Sequence, residues 1–344
     1  MKRLMGALLA ATLAAPASTT IAQELTTVNV LMPLPRSAHF YPLIVGEALG
    51  YFEEEGIAVN LLPSSTTIPY VAFVQNGQAD LAMLDPQQTF AAVKAEANVK
   101  VLYEVMQNAP EGIAVSAESE IQDVSELKGT TVGLVSDRDR QTLAIALDTA
   151  DISIDDVQTV VVGEAGPTLA SAFRNQTVSA IAGAVPDWLA LQANGIAIRL
   201  ITPEEVSKTP ANSFVANTDR IEELSEQLEG FLRAWSKGMY VAEVDRDVVE
   251  AMTKAAVPAE WENEEFGREF LYASIPMNIS TTELAGDLQA DVWADIQPRL
   301  MAVGVLEEEF DPSTFLDDRF IEPANDWSRE EVAAEVETWR EENM

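Results

Sequence analysis

The sequence contains no cysteine, so disulfides, thiol catalysis, Cys-based zinc sites and a lipidated cysteine are excluded. It contains one histidine, His39, which excludes a His-rich metal site. With no Gly-x-Ser-x-Gly stretch either, a hydrolase triad has little to stand on. Positive charge is scarce: 21 Lys and Arg face 56 Asp and Glu, a net charge of −35. Phosphate binding needs a basic surface, so no nucleic acid is expected as a partner, and no anionic membrane surface. The acidic excess reads as a solvated surface and is also compatible with a saline habitat. Beyond residue 22, no apolar run approaches the roughly 18 residues that a membrane-spanning helix needs. Nothing calls for a cofactor or a metal, and the acidic run 307–318 reads as a solvated loop.

What is present begins with a leader. Lys2 and Arg3 precede an apolar run from Leu4 to Ala15, and Thr20-Ile21-Ala22 is a small-x-small ending. Residues 1–22 therefore read as a cleavable secretory signal peptide. The remaining length and the 47% hydrophobic content suffice for two lobes, each with its own core.

The patterning then alternates. "TVNVLM" (27–32), "IAVNLLP" (57–63) and "ADLAML" (79–84) read as strands, with helical spacing in "LIVGEALGYF" (43–52) and "YVAFVQNGQ" (70–78) between them. The order recurs at 129–184: strands "GTTVGLV", "VQTVVV" and "VSAIAGA" alternate with helices at 141–150 and 168–177. "NGQADLAM" (76–83) matches "NQTVSAIA" (175–182) in pattern, and Pro86 and Pro186 closely follow the strands. Strands alternating with helices point to α/β lobes with parallel sheets, which bind ligands outside the carboxyl ends of their strands. The loops leaving those ends are 33–42, 64–69, 85–88, 136–140, 163–167 and 184–188. "NAPEGIAV" (108–115) and "KTPANSFVAN" (208–217) read as crossings out and back. Lobe 1 is then discontinuous, 23–110 and 212–344, with lobe 2 inserted as 111–211. Helices are expected at 224–244, 246–257, 282–306 and 329–342, the last with a Ser328/Glu331 capping box.

Four stretches in order carry a resemblance: "GEALGYFEEEGIAVNLL", "FVQNGQADLAMLDP", "VSELKGTTVGLV" and "ISIDDVQTVVV". Over about residues 28–275 the chain resembles periplasmic substrate-binding proteins of ABC importers, of the nitrate/sulfonate/taurine-binding type, whose fold is shared with thiamine-pyrimidine synthase. The resemblance implies an α/β, two-lobe periplasmic-binding-protein fold (type II) with two hinge crossings and a helical C-terminal region. It also implies a periplasmic, monomeric, non-enzymatic protein that closes on a small-molecule ligand and delivers it to a membrane permease. By position, its ligand contacts fall at Arg36 to Tyr41, Ser64 to Thr66, Asp85 to Gln87, Ser136 to Arg140 and Pro186 to Trp188.

The candidate site residues are Arg36, His39, Phe40, Tyr41, Ser65, Thr66, Asp85, Gln87, Arg138, Arg140, Asp187 and Trp188. Arg36 is the only Lys or Arg between Arg3 and Lys94, and Arg138 and Arg140 occupy the corresponding loop of the other half. Guanidinium offers a fork of donors matched to carboxylate, sulfonate or phosphate oxygens; pairing with the acidic surface is the alternative. His39, Phe40, Tyr41, Tyr70 and Trp188 offer aromatic faces to an apolar or planar ligand, or simply pack in the core. Ser65 and Thr66 supply hydroxyls where a helix start favours anions, or only cap that helix. The ligand expected is a small organic anion, sulfonate- or carboxylate-like. The alternative is a thiamine-precursor-like pyrimidine or other nitrogenous base, held by Asp85 or Asp187. A periplasmic enzyme or a sensor partner on the same scaffold are the rival classes. The related synthase relies on a cofactor lysine and histidines, whereas this chain has one histidine and no lysine between Lys2 and Lys94.

Overall fold

The computed structural model describes residues 25–63 and 69–344. The leader, Ser65 and Thr66 lie outside the described residues. The first sheet contains β1 (Thr26–Leu31), β2 (Ile57–Leu61), β3 (Leu81–Leu84) and β4 (Val99–Glu104). The second contains β5 (Glu111–Ser116), β6 (Thr131–Leu134), β7 (Gln158–Val161), β8 (Ala180–Ala184) and β9 (Ile198–Leu200). The chain then returns to the first sheet as β10 (Ser213–Asn217).

The strand orders are β2-β1-β3-β10-β4 and β7-β6-β8-β5-β9. Each sheet thus repeats one plan: a parallel trio, then the crossing strand, then an edge strand. The recurrence read from the sequence is present down to backbone detail. Gly77 and Gln176 both take positive φ, +67° and +55°, at the end of equivalent helices. Three residues on, Asp80 N donates to Asn29 O and Ser179 N to Thr131 O, each at 2.8 Å. The sheets are mixed, however, not purely parallel. β10 runs antiparallel to β3 and β4, and β5 antiparallel to β8 and β9. A chain arriving from the other sheet enters from the opposite end, which fixes that direction.

Period-two alternation divides the second sheet's residues between two cores. Ile113, Val115, Val132 and Leu134 pack with Leu143 and Leu147 on one face. Ala114, Val135 and Ile181 pack with Leu169, Trp188 and Leu191 on the other. The first sheet is enclosed by a larger core that includes the Ser225–Val244 helix. Phe214 of β10 meets Phe231 and Trp235 of that helix edge to face, at centroid distances of 5.3 and 5.0 Å. The acidic turn after Gly50 docks onto the same helix: Glu55 pairs with Arg233 at 2.7 Å and Glu54 with Lys237 at 2.9 Å. Asp80, from the Gly-Gln-x-Asp turn, ties β1 to the chain after β10 by accepting from Asn29 N at 2.9 Å and Arg220 at 3.0 Å. Both of these turns, which carried the resemblance, hold architecture.

The C-terminal region departs from the single helix expected over 282–306. Two short helices occur instead, Ala290–Asp295 and Gln297–Ala302, after an irregular stretch. Gly286 has φ +74°, and a Cβ there would lie 2.1 Å from the Tyr103 ring, so the backbone is pressed onto β4 in a conformation no helix has. Pro298 then forces a fresh start, since it has no N–H to continue the previous ladder. The acidic run 307–318 is mostly exposed, but Phe315 within it is buried and Leu316 bridges to Val101. The final helix, Arg329–Asn343, is capped by Ser328, which accepts from Glu331 N at 3.2 Å.

The two connections between the sheets run side by side. Met106 N donates to Asn212 O at 3.0 Å, Ala211 N to Met106 O at 2.8 Å, and Ala109 N to Ser207 O at 2.9 Å. Gln107 anchors the outgoing connection to the C-terminal segment. Its Oε1 accepts from Thr281 N at 2.6 Å, and its Nε2 donates to Thr282 Oγ1 and Asp287 O, each at 3.0 Å.

Candidate ligand cleft

A cleft of about 1030 Å³ opens where the strand ends of both sheets meet the paired connections. Its wall takes Pro33, Tyr70 and Asp85 to Gln88 from the first sheet's loops, and Ala109 and Glu111 from the outgoing connection. Ser136 to Gln141 and Ala184 come from the second sheet, and Thr209 to Asn212 from the return.

The carboxylates are placed by caps. Asp85 starts the Pro86–Lys94 helix, accepting from Gln88 N at 2.7 Å, while Gln88 Oε1 accepts from Asp85 N at 3.1 Å. Asp139 closes the turn after β6, accepting from Ser136 N at 2.6 Å and Ser136 Oγ at 2.9 Å. Asp187 accepts from Ala184 N at 2.8 Å. Glu111 opens β5 directly from the connection. All four are raised above the ordinary carboxylate range, and loss of water is the largest cause for each. Asp187 is pushed up to about 6 by burial, with the charges of Asp139 and Glu164 adding to it. Glu111 keeps exposed surface, yet loss of water still raises it, and Asp85 and Asp139 raise it further. Asp85 and Asp139 therefore both lie within electrostatic reach of Glu111, although the three come from different segments.

Of the expected site residues, Asp85, Gln87, Arg138 and Arg140 line this cleft. Arg138 is exposed, and its side chain makes no hydrogen bond or ion pair among the described residues; its charge opposes the rise at Asp85. Arg140 donates to Thr159 Oγ1. Arg36, His39, Phe40, Tyr41, Asp187 and Trp188 are not part of the cleft wall. Arg36 makes a two-pronged pair with Glu47, Nη2 to Oε1 at 2.9 Å. His39 is buried, with Nδ1 2.9 Å from Ser274 Oγ and its ring stacked on Phe270. Burial holds its pKa down at about 4. Phe40 and Tyr41 are core residues, and Tyr41 Oη donates to Met239 O at 2.9 Å. Trp188 is 6% exposed and packs in the second sheet's core, the packing alternative stated for it. The 37–41 stretch thus docks the first loop onto the Glu264–Asn278 helix, a long-range contact that local sequence does not announce.

Glu111 is absent from the expected contacts because it falls in a stretch that reads as a crossing between lobes. Asp139 falls within the expected Ser136 to Arg140 range but is not singled out there, since Arg138 and Arg140 are the scarcer residue type. The available signal was positional: both sit at the strand-end side of their sheet.

The fold matches solved structures over most of its length. The periplasmic aliphatic sulphonate binding protein SsuA from Escherichia coli superposes with TM-score 0.66 at 15% identity, over 85% of this chain and 92% of that one. The alkanesulfonate-binding protein SsuA from Xanthomonas axonopodis pv. citri, bound to MOPS, gives 0.61 at 14% identity over 86% and 99%. The desulfurization enzyme DszB gives 0.58 at 14% identity over 87% and 98%, so the same fold also carries catalysis. No curated protein matches the sequence. The architecture is thus the α/β periplasmic-binding-protein fold, with a helical C-terminal region. The family model described as NMT1/THI5 like matches residues 37–245, and the chain belongs to that family.

Proposed function

We propose that the chain is the extracytoplasmic solute-binding component of an ABC importer, and that its cleft captures a small solute bearing a protonated nitrogen. The convergence of Asp85, Glu111 and Asp139 carries this reading. Carboxylates crowded together in a poorly hydrated cleft are destabilised as anions, and a cation among them turns that repulsion into attraction. Family and fold support the binding role. His39, the sole histidine, sits in the core against Ser274, which supports binding over acid–base catalysis. In this reading lobe 1 comprises 23–110 and 212–344, and lobe 2 comprises 111–211. They close about the two connections, and the closed form meets a membrane permease. The mature protein starts near Gln23, works in the periplasm and is a monomer.

A second reading is favoured by one observation. Arg138 is an exposed cation in the cleft with no side-chain hydrogen bond or ion pair among the described residues, as a small organic sulfonate or carboxylate would require. The MOPS bound to the Xanthomonas protein is a ligand of that kind.

Calorimetry separates the two. An alkylamine, an amidine and an aminopyrimidine are titrated at pH 7.5 against methanesulfonate and acetate. Binding of the bases alone, weakened in Glu111→Gln, is the expected result. Binding of the anions alone, lost in Arg138→Ala, would replace this reading with the second.

A further inference from the structure

The cleft is larger than a small charged head requires, and its wall changes character along its length. Near Asp85, Glu111 and Ser136 to Arg140 it is polar and charged. Past Gln141 it becomes apolar: Ile145 and Ile154 line it from the second sheet's side, and Leu300, Val303 and Val305 from the C-terminal region. Ile145 packs against both the first sheet's core and the second sheet's core around Leu143 and Leu147, so the apolar stretch lies where the two halves meet. Ile154, Val303 and Val305 keep part of their surface open. Arg299 and Glu205, 3.9 Å apart, supply charge in this stretch of the wall. Where polar wall gives way to apolar, Gln141 Nε2 is buried without a hydrogen-bond partner. A buried orphan donor is rare enough to require an explanation.

We propose that this apolar annex receives a hydrocarbon or aryl tail of the cleft ligand, making the ligand an amphiphile. The annex is continuous with the charged part of the cleft, so one molecule spans both. An ether, hydroxyl or carbonyl oxygen at the junction would accept from Gln141 Nε2. Partly open aliphatic side chains beside a charged site gain by covering apolar ligand surface. This inference rests on the cleft being the ligand site, and it deepens the head-group assignment made above.

The test is a chain-length series on the purified mature protein: n-propyl-, n-pentyl- and n-heptylamine, with the matching n-alkanesulfonates in parallel, by calorimetry. Each added methylene should tighten binding by about three- to fourfold, the value of burying one such group. Val303→Trp, which fills the annex, should flatten this dependence. Ile154→Ser, which makes the wall polar, is the second variant should the first fail to fold, and it should also reduce the slope. A slope in the amines supports both the annex and the nitrogen head. A slope confined to the sulfonates supports the annex and overturns the head-group reading. Amines that bind with no slope, or a slope that survives both variants, overturn the annex and leave the head-group reading intact. No binding in either series overturns both.

Discussion

Trp293 Nε1 donates to Glu104 Oε1 at 2.8 Å, in a place where the glutamate has no exposed surface at all. Gln289 adds its backbone N at 2.8 Å and its Nε2 at 2.9 Å to the same carboxylate. An acid at the end of β4 thus holds the irregular segment that leads to the two short C-terminal helices.

That acid should make stability depend on pH. Burial pushes the Glu104 carboxyl up to about 7, against the three donors that favour its charged form. Its folded-state pKa exceeds its unfolded one, so the folded state binds more protons between about pH 4.5 and 7. This group's contribution therefore falls as pH rises through that window and is constant above it. The span corresponds to about 3 kcal/mol as an order of magnitude. Glu104→Gln, with the Gln289 amide turned to match, should flatten that part of the melting-temperature profile. A parent and variant with parallel profiles would show that Glu104 titrates normally.

Gly286→Ala should be among the most damaging small substitutions. The new Cβ meets the buried Tyr103 ring, and φ is +74°. A loss of about 2–4 kcal/mol in urea denaturation is expected from the two effects together. Gly304→Ala is the control, with similar φ and open space around it, and should cost about 1 kcal/mol.

Base binding in the cleft should weaken in acid. Asp85, Glu111 and Asp139 line the cleft, and loss of water raises all three above the ordinary carboxylate range. As pH falls toward that raised range these carboxylates gain protons and lose their hold on a cation. Calorimetry at pH 7.5, 6 and 5 should show affinity dropping at each step. Affinity that is level across this range would mean that these acids do not touch the ligand.

Arg36→Ala should leave ligand affinity unchanged and cost about 1 kcal/mol of stability or less, since its partner is Glu47 and the pair is partly exposed. Arg138→Ala should change affinity whichever head group binds, because that cation is in the cleft wall. Equal effects of the two variants would contradict the placement of the first loop.

Ligand should compact the molecule. Gln107 is fixed to Thr281, Thr282 and Asp287, so bending is expected beyond it, at 108–110 and 208–211. Small-angle scattering should report a smaller radius at saturation. An unchanged radius would speak against closure, though not against binding.

The repeated β-α-β order was readable in the sequence because periods of two and 3.6 are local. The direction of β5 and β10 was not, because it depends on where the chain re-enters a sheet. The scarcity of basic residues points to Arg36, yet Glu47, its partner, is 11 residues along the chain and no local pattern joins them. The same acidic excess hid Glu111 and Asp139: among 56 acids, no single one stands out by counting. The break at Gly286 required knowing that Tyr103 lies against it.

The hydrogen bonds joining the two connections have a mechanical consequence. Sliding one sheet past the other would shear the Met106–Asn212 and Ala109–Ser207 contacts apart, whereas turning about the line they share would leave them whole. Two strips of backbone laced together resist translation and yield to rotation. In the closure proposed above, the halves would then move relative to one another along a single angle rather than six rigid-body coordinates.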